Sequence, residues 1–258
     1  MGVVNVTPDS FSDSGRFLDF DRALAHARML LADGADIIDV GGESTRPGAL
    51  PTVEANEIGR VVPITEALAR DGILVSVDTM KPRVMRAAID AGASMINDVR
   101  ALQSPGAIDV VAKSDVAVCL MHMQGEPRTM QSAPVYGDVV ADVREFLQAR
   151  VAACRAAGIG ADRIAVDPGF GFGKTVAHNL RLVRELSSIV SLGVPVVFGA
   201  SRKSSLGKLT GRPADERLAA SIAAALAAVA HGASIVRVHD VRETVDALKV
   251  WHAIEGGE

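Results

Sequence analysis

The sequence predicts an α/β fold, a single (β/α)8 TIM barrel with its active site at the C-terminal mouth. Three observations predict it. Eight short segments rich in Val and Ile recur along the 258 residues, and each is too apolar to have a wet face, which is typical of parallel strands buried on both sides. Ala-rich amphipathic stretches of helical length alternate with these segments. Polar residues follow the apolar segments, which is typical of the C-terminal ends of barrel strands, where the active site of this fold lies.

The predicted elements follow one another in strict alternation. The strands are predicted at residues 2–5, 37–41, 75–79, 95–98, 116–122, 164–167, 194–201 and 235–240. The helices are predicted at residues 21–33, 54–70, 81–91, 106–114, 138–157, 176–190, 214–231 and 241–254. The length suits one such barrel, and no composition shift marks a linker, so we expect one domain over residues 1–258. A doubly wound open sheet is the alternative fold.

Composition excludes several classes of protein. Hydrophobic residues make up 48% of the chain, yet no apolar run reaches the roughly 18 residues that a membrane span needs. No signal peptide is visible, and the two cysteines, Cys119 and Cys154, do not form a disulfide framework pattern. We therefore expect a cytoplasmic protein. The net charge of −4 argues against broad nucleic-acid binding.

Residues 164–174 carry the most specific local signal. An apolar strand ends at Asp167, a proline stops the hydrogen-bond ladder, and three glycines let the backbone turn closely before Lys174. A buried carboxylate is costly unless a partner completes it. Asp167 can accept two hydrogen bonds from the amidine-like edge of a guanine-like or pterin ring. A strand-ending turn with an incidental aspartate is the alternative.

Strand parity brings further polar side chains to the same mouth. Side chains two residues apart share a face of a strand, so Arg237 and His239 point the same way, as do Ser76 and Asp78. Carboxylates and an amide suited to a neutral heterocycle are Asp78, Asn97 and Asp167. Cations suited to phosphate or carboxylate are Arg46, Arg202, Lys203, Arg237 and His239. A substrate with a nitrogen-rich ring at one end and a polyphosphate at the other satisfies both groups.

Eight motifs occur in one order along the chain, at residues 5–13, 39–48, 77–79, 96–98, 121–131, 167–174, 201–204 and 237–240. In these motifs the chain resembles the dihydropteroate synthases, the sulfonamide targets of folate synthesis. The resemblance spans essentially the whole chain. It implies a transferase that joins 4-aminobenzoate to (7,8-dihydropterin-6-yl)methyl diphosphate and releases 7,8-dihydropteroate and diphosphate. It further implies Mg²⁺ as cofactor and a homodimer, with small-molecule substrates and no nucleic-acid or membrane partner.

The resemblance also implies roles for individual residues. The expected catalytic residues are Lys203, Arg237, His239, Asp78 and Arg46. The expected pterin-binding residues are Asp78, Asn97, Asp167, Lys203, Met121, Phe172 and Gly199. The expected aminobenzoate-binding residues are Thr45, Arg46, Pro47, Phe11, Lys203 and Ser204. The expected diphosphate-binding residues are Asn5, Arg237 and His239, and Asn5 is the expected metal ligand.

Other interpretations remain open on the sequence. Met121 and Phe172 could instead be ordinary core residues. His239 could be a structural histidine, and Arg46 could be a solvent-exposed charge on a loop. A folate-dependent methyltransferase of the same barrel superfamily shares the carboxylate and amide set but does not need the cations. A catalytically silent pterin-binding barrel is the alternative from another functional class. For the synthase we expect an SN1-like path assisted by Mg²⁺.

Overall fold

The structure is a computed structural model that describes residues 1–6, 16–44 (16–19 as backbone only), 49–126 and 128–256. The strands in this part of the chain are β1 Gly2–Asn5, β2 Ile37–Gly41, β3 Leu74–Asp78, β4 Met95–Asp98, β5 Ala117–Met121, β6 Ile164–Asp167, β7 Val197–Phe198 and β8 Ile235–Val236. Strands β1 to β6 form one parallel sheet in sequence order, and β7 pairs with β8.

Two parallel bridges close these strands into a barrel. Val166 pairs with Val196, which joins β6 to the start of β7, and Gly2 pairs with Val238, which joins the end of β8 to β1. The backbone N–H of Val3 donates to the carbonyl of Val238 at 3.1 Å. Because both outer strands of the sheet are paired, the protein is a (β/α)8 barrel, and the open-sheet alternative is wrong.

The helices surround the strands. They are α1 Arg16–Ala32, α2 Glu54–Arg70, α3 Pro82–Asp90, α4 Ala107–Ala112, α5 Val139–Ala156, α6 Val176–Arg184, α7 Ser187–Val190, α8 Ser204–Thr210, α9 Leu218–Ala230 and α10 Val241–Ile254. The helix predicted at 176–190 is divided in two, because the backbone of Glu185 (φ −108°, ψ 23°) leaves the helical range. The helix predicted from 214 begins later, because Ala214–Glu216 forms a separate 3-10 turn and the backbone of Arg217 (φ −94°, ψ 14°) lies outside the helical range.

The last two strands are shorter than predicted. Pro195 has no N–H to donate to a ladder, and the N–H of Val196 donates to Ser234 Oγ instead of a backbone carbonyl, so β7 begins at Val197. After β8 the backbone changes partner within two residues: the N–H of Arg237 donates to Phe198 of β7, whereas the N–H of Val238 donates to Met1. The segment that carries Arg237 therefore lies between β7 and β1, where the barrel closes.

Alternate residues of the strands face opposite sides of the barrel wall. Helix-facing residues such as Ile38, Val77 and Leu120 belong to the main core. A small interior layer consists of Cys119, Ala165 and Val197, with Met95 and Ile235 packed against it. Two residues after Met95, Ala165 and Ile235, the chain carries Asn97, Asp167 and Arg237, respectively. The interior thus changes from apolar to polar towards the C-terminal ends of the strands, where the site is expected.

A membrane-spanning helix is not found among the described residues, since none of their helices combines the necessary length and apolar character.

Candidate active site

An ion-paired cluster occupies the C-terminal mouth of the barrel. Arg237 donates from Nε to Asp39 Oδ2 at 2.6 Å and from Nη2 to Asp78 Oδ2 at 3.1 Å. Asn97 donates to the same Asp39 oxygen at 3.4 Å. Asp39 is fully buried, and the Arg237 side chain is 19% exposed. One guanidinium therefore connects β2 and β3 to the end of β8.

The electrostatics of this cluster follow from burial and pairing. Burial raises the pKa of Asp78 to about 7, with Arg237 acting in the opposite direction and Asp39 adding to the rise. Burial also acts to lower the pKa of Arg237, but the Asp39 and Asp78 carboxylates outweigh it and raise that pKa above its ordinary value. Arg237 is thus a permanent cation, whereas Asp78 titrates near neutral pH.

Asp78 is expected to make the stability of the protein depend on pH. Its folded-state pKa of about 7 lies above the ordinary value of 3.8, so the folded protein keeps a proton that the unfolded chain releases. The free energy of unfolding of the wild type should therefore fall, relative to that of Asp78→Asn, as the pH rises from about 4 to about 7. Urea unfolding of both proteins across this window measures the difference, and parallel pH curves would contradict the assignment.

A second charged pair lies around Asp167 at the end of β6. Asp167 is 4% exposed, and its Oδ1 accepts a hydrogen bond from the backbone N–H of Gly169 at 2.6 Å. Burial raises its pKa, while Lys203 acts to lower it. Lys203 donates to the carbonyl of Phe170 at 2.6 Å, and its Nζ lies 4.5 Å from the ring centroid of Phe172. Burial lowers the pKa of Lys203 to about 8, with Asp167 opposing this.

The glycines after Asp167 let the loop pack against the protein's own backbone. Gly169 has φ +70°, and a Cβ there would collide with the carbonyl oxygen of His122. Gly173 has φ +61°, and a Cβ there would collide with the carbonyl oxygen of Gln124. Glycine is the residue that accepts both the left-handed backbone and the close approach. The predicted tight turn is present, and its close neighbour is the segment after β5.

Asn5, at the end of β1, faces the same space as Asp78. Gly41 pairs in register with Asn5 on one side and with Asp78 on the other. A Cβ at Gly41 would lie 3.6 Å from Asn5 Oδ1 and 3.7 Å from Asp78 Cβ, so the glycine keeps the space between the two side chains open. Amide and carboxylate oxygens are ligands that Mg²⁺ accepts while it keeps several waters. These residues therefore fit the predicted metal.

The remaining predicted residues lie near these groups or at the rim. Met121 is 4% exposed and pairs in register with Asp167. A Cβ at Gly199 would lie 3.6 Å from Arg237 Cβ. His239 contacts Ser201 Oγ through its backbone N–H at 3.1 Å and through Nδ1 at 3.0 Å.

Two residues of the predicted mouth lie towards solvent. Arg202 is exposed and donates from Nε to Asp240 at 3.0 Å, so Asp240 neutralises its charge at the rim. Ser204 is exposed and begins α8, directly after Lys203. Phe11, Thr45, Arg46 and Pro47 lie outside the described residues.

The sequence interpretation missed the buried cluster around Lys81. Its Nζ donates to Glu57 Oε2 at 2.6 Å, to Glu43 Oε1 at 2.9 Å and to the carbonyl of Thr52 at 2.6 Å. Thr79, the residue after Asp78, donates to Glu57 Oε1 at 2.6 Å. The cluster therefore joins β3 and α2 to the chain on both sides of residues 45–48. Glu57 could have been recognised, because it lies on the apolar face of the helix predicted at 54–70.

Asp39 was also missed as a site residue, although it lies within a recognised motif. It stands between Ile38 and Val40, both fully buried against the helices. By strand parity its side chain faces the barrel interior, and this parity was the available signal.

Across the described residues, no three His, Cys, Asp or Glu side chains converge as a metal site.

Comparison with known proteins assigns the family. The family model described as pterin binding enzyme matches residues 1–239. The chain belongs to the pterin binding enzyme family. It is similar to the dihydropteroate synthase of Haemophilus influenzae. The two sequences are 51% identical over 254 residues, and the match covers 98% of this chain and 92% of the relative.

Solved structures of dihydropteroate synthases share the barrel of this pterin binding enzyme. That of Yersinia pestis, in a sulfonamide drug complex, has a TM-score of 0.94 and 48% identity, covering 100% of this chain and 94% of the other. The structure from Xanthomonas albilineans, with 4-aminobenzoic acid, has a TM-score of 0.94 and 52% identity, and the match covers 100% of this chain and 93% of the other. The family and the fold predicted from the sequence are confirmed.

Proposed function

We propose that this protein is a dihydropteroate synthase, which condenses 4-aminobenzoate with (7,8-dihydropterin-6-yl)methyl diphosphate to give 7,8-dihydropteroate and diphosphate. The observation that carries the proposal is the buried cluster in which Arg237 contacts both Asp39 and Asp78, together with Asp167 and Lys203, whose charges act on each other. This cluster supports the proposal, because carboxylates and an amide suit a heterocycle and the neighbouring cations suit a diphosphate. The relatives of about half identity support the same reaction.

The dihydropterin is proposed to bind in the barrel interior. Asp167 Oδ1 already accepts from Gly169, so Oδ2 would accept from the amino-pyrimidine edge of the ring. Asp78 and Asn97 would contact the other ring edges, and Lys203 the pterin oxygen or N5 side. Met121, Phe172 and Gly199 would line the faces of the ring.

The diphosphate is proposed to bind to Asn5, Arg237 and His239. Arg237 has five N–H donors, and its contacts to Asp39 and Asp78 use Nε and Nη2, which leaves Nη1 able to donate to phosphate oxygens. Asn5 would hold Mg²⁺ directly, beside Asp78. When bound, Mg²⁺ would neutralise charge on the diphosphate oxygens.

The 4-aminobenzoate is proposed to bind above the pterin. Lys203 and Ser204 are the described residues of this half-site, and the Ser204 hydroxyl would donate to the carboxylate of 4-aminobenzoate. Phe11, Thr45, Arg46 and Pro47 complete the proposed set. Arg46 is the further proposed catalytic residue, because its positive charge suits the reacting groups.

Ionisation of the methylene carbon is the proposed chemical step. The C–O bond to the diphosphate breaks, its electron pair leaves with the diphosphate, and the electron-rich dihydropterin stabilises the resulting cation. Arg237 and His239 stabilise the negative charge on the leaving group. The aniline nitrogen then forms the C–N bond, and its proton passes to water or to the released diphosphate. Trapping of a covalent adduct between the protein and the substrate would contradict this SN1-like path.

The proposed activity predicts a strict requirement for three components. We expect diphosphate release and 7,8-dihydropteroate formation with the dihydropterin diphosphate, Mg²⁺ and 4-aminobenzoate together, and loss of product when any one is omitted. Chromatography of the pterin products and a diphosphate-release assay measure this. Pterin binding without turnover would instead favour the silent barrel, and methyl transfer from a folate to a corrinoid protein would favour the methyltransferase.

We further propose that residues 1–258 act as one domain, in a cytoplasmic homodimer. The two cysteines, Cys119 and Cys154, are buried and unpaired with each other, which suits a reducing compartment. Sedimentation analysis of the purified protein would test the dimer.

A further inference from the structure

Lys174 has a buried side chain whose ammonium group is surrounded by oxygen and nitrogen acceptors. The residue is 2% exposed. Its Nζ donates to the carbonyls of Gly169 at 3.0 Å and Phe172 at 2.9 Å. Nζ also lies 2.9 Å from His122 Nδ1 and 3.4 Å from the His122 carbonyl. The loop after β6 thus folds back around the lysine that ends it.

His122 is assigned as an acceptor for this lysine. An ammonium group has three N–H donors and no lone pair, so Nδ1 accepts and Nε2 carries the ring proton. Burial, together with the charge of Lys174, lowers the pKa of His122 to about 3, which keeps the imidazole neutral. Burial lowers the pKa of Lys174 itself to about 7, against the attraction of Asp167. The ammonium form therefore prevails below pH 7.

Both carbonyls held by Lys174 belong to residues that contact groups of the pterin half-site. The N–H of Gly169 donates to Asp167 Oδ1, and the ring of Phe172 lies next to the Lys203 ammonium. In addition, the N–H of His122 donates to the carbonyl of Asp167 at 3.0 Å. Lys174 therefore contacts the backbone of Gly169, whose N–H binds the Asp167 carboxylate, and the backbone of Phe172, whose ring is proposed to line the heterocycle.

The other carbonyls of the loop have donors of their own. The Phe170 carbonyl accepts from Lys203, the Gly171 carbonyl from Gln131 and the Gly173 carbonyl from Tyr136 at 2.7 Å. Loss of the Lys174 ammonium would consequently remove this donor from the Phe172 carbonyl and leave the Gly169 carbonyl with the N–H of Phe172 at 3.0 Å, while these three anchors stay in place. The effect of its loss should be local.

We propose that Lys174 and His122 are a positioning pair for the pterin half of the site, an inference that rests on the proposed function. Lys174 does not touch the substrate. It fixes the Gly169 and Phe172 carbonyls, and thereby the directions of the Asp167 carboxylate and the Phe172 ring. The 4-aminobenzoate half-site, proposed around Lys203, Ser204, Phe11 and residues 45–47, meets these contacts only through Lys203 among the described residues, and Lys203 keeps its own hydrogen bond to the Phe170 carbonyl.

The test compares the two Michaelis constants in matched variants, assayed below pH 7. Lys174→Met keeps the length of the side chain without its charge, His122→Leu removes the acceptor, and His122→Asn keeps an acceptor near the position of Nδ1. Lys249→Met, on the exposed side of α10, is the surface control. Thermal unfolding of each variant accompanies the kinetics.

We expect Lys174→Met to raise KM for the dihydropterin diphosphate by about tenfold, with KM for 4-aminobenzoate within about twofold of the wild type. His122→Leu should shift the same constant in the same direction, and His122→Asn should restore most of it. Lys249→Met should match the wild type.

Equal changes in both Michaelis constants, or no change in either, would overturn the inference. If Lys174→Met does not fold, His122→Leu and His122→Asn give the same comparison. A wild type without synthase turnover would contradict the proposed function, whereas an active wild type with an unaffected Lys174→Met variant would overturn the positioning pair alone.

Discussion

Replacing Arg237 with Met is expected to lower turnover by about a thousandfold, because a cation proposed to stabilise the leaving diphosphate is lost. The same change should lower the free energy of unfolding by about 3–5 kcal/mol, because it leaves the fully buried Asp39 carboxylate without a cation and with only the Asn97 amide as donor. Asp39 Oδ1 has no hydrogen-bond partner within the described structure. The stability of the buried carboxylate therefore depends strongly on the contact of Oδ2 with Arg237. Steady-state kinetics and urea unfolding measure the two effects.

The variant Arg237→Lys distinguishes the effect of the positive charge from the effect of the guanidinium geometry. Lysine keeps a positive charge but lacks the fork that contacts Asp39 and Asp78 together. We expect it to regain part of the stability, since one carboxylate can still be paired, but little of the turnover. An Arg237→Met protein with wild-type stability would contradict the buried ion pair, and one with wild-type turnover would contradict the role in diphosphate departure.

The sequence predicted those parts of the fold that depend on local patterns. Short, nearly continuous apolar segments and the polar residues that follow them locate β1 to β6 closely, because a parallel strand buried on both faces is apolar at almost every position. The same patterns place Asp78, Asn97 and Asp167 at the barrel mouth. β7 and β8 were predicted too long, because their lengths depend on which neighbouring strand each N–H meets, and a single segment does not contain that information.

The sequence could not predict contacts between residues far apart in the chain. Arg237 and Asp39 are separated by 198 positions, and barrel closure brings them together. The cations and carboxylates were therefore predicted as two separate groups, whereas Arg237 contacts Asp39 and Asp78 directly. Lys174 was recognised only as the residue that follows the glycine turn, and the sequence did not predict that its own loop and His122 surround the ammonium.

Replacing Lys81 with Met is expected to lower the free energy of unfolding by about 3–5 kcal/mol. The ammonium lies between two carboxylates, Glu57 with a fully buried side chain and Glu43 with a side chain 6% exposed. Burial already raises the pKa of Glu57, and its hydrogen bond with Lys81 opposes that rise. Without Lys81 the pKa of Glu57 should rise further, so the loss of stability should be smaller at low pH, where Glu57 is protonated.

A double-mutant cycle with Glu57→Gln isolates this ion pair. Glutamine removes the buried charge and keeps an oxygen that can accept from Thr79, so Lys81→Met/Glu57→Gln should be more stable than Lys81→Met alone. Urea unfolding of the four proteins at two pH values gives the coupling, and strictly additive losses would contradict it. Because Lys81 also binds the carbonyl of Thr52, the same variant is expected to raise KM for 4-aminobenzoate more than KM for the dihydropterin diphosphate. That order is the reverse of the one expected for Lys174→Met, so the two lysines test the two halves of the proposed site independently.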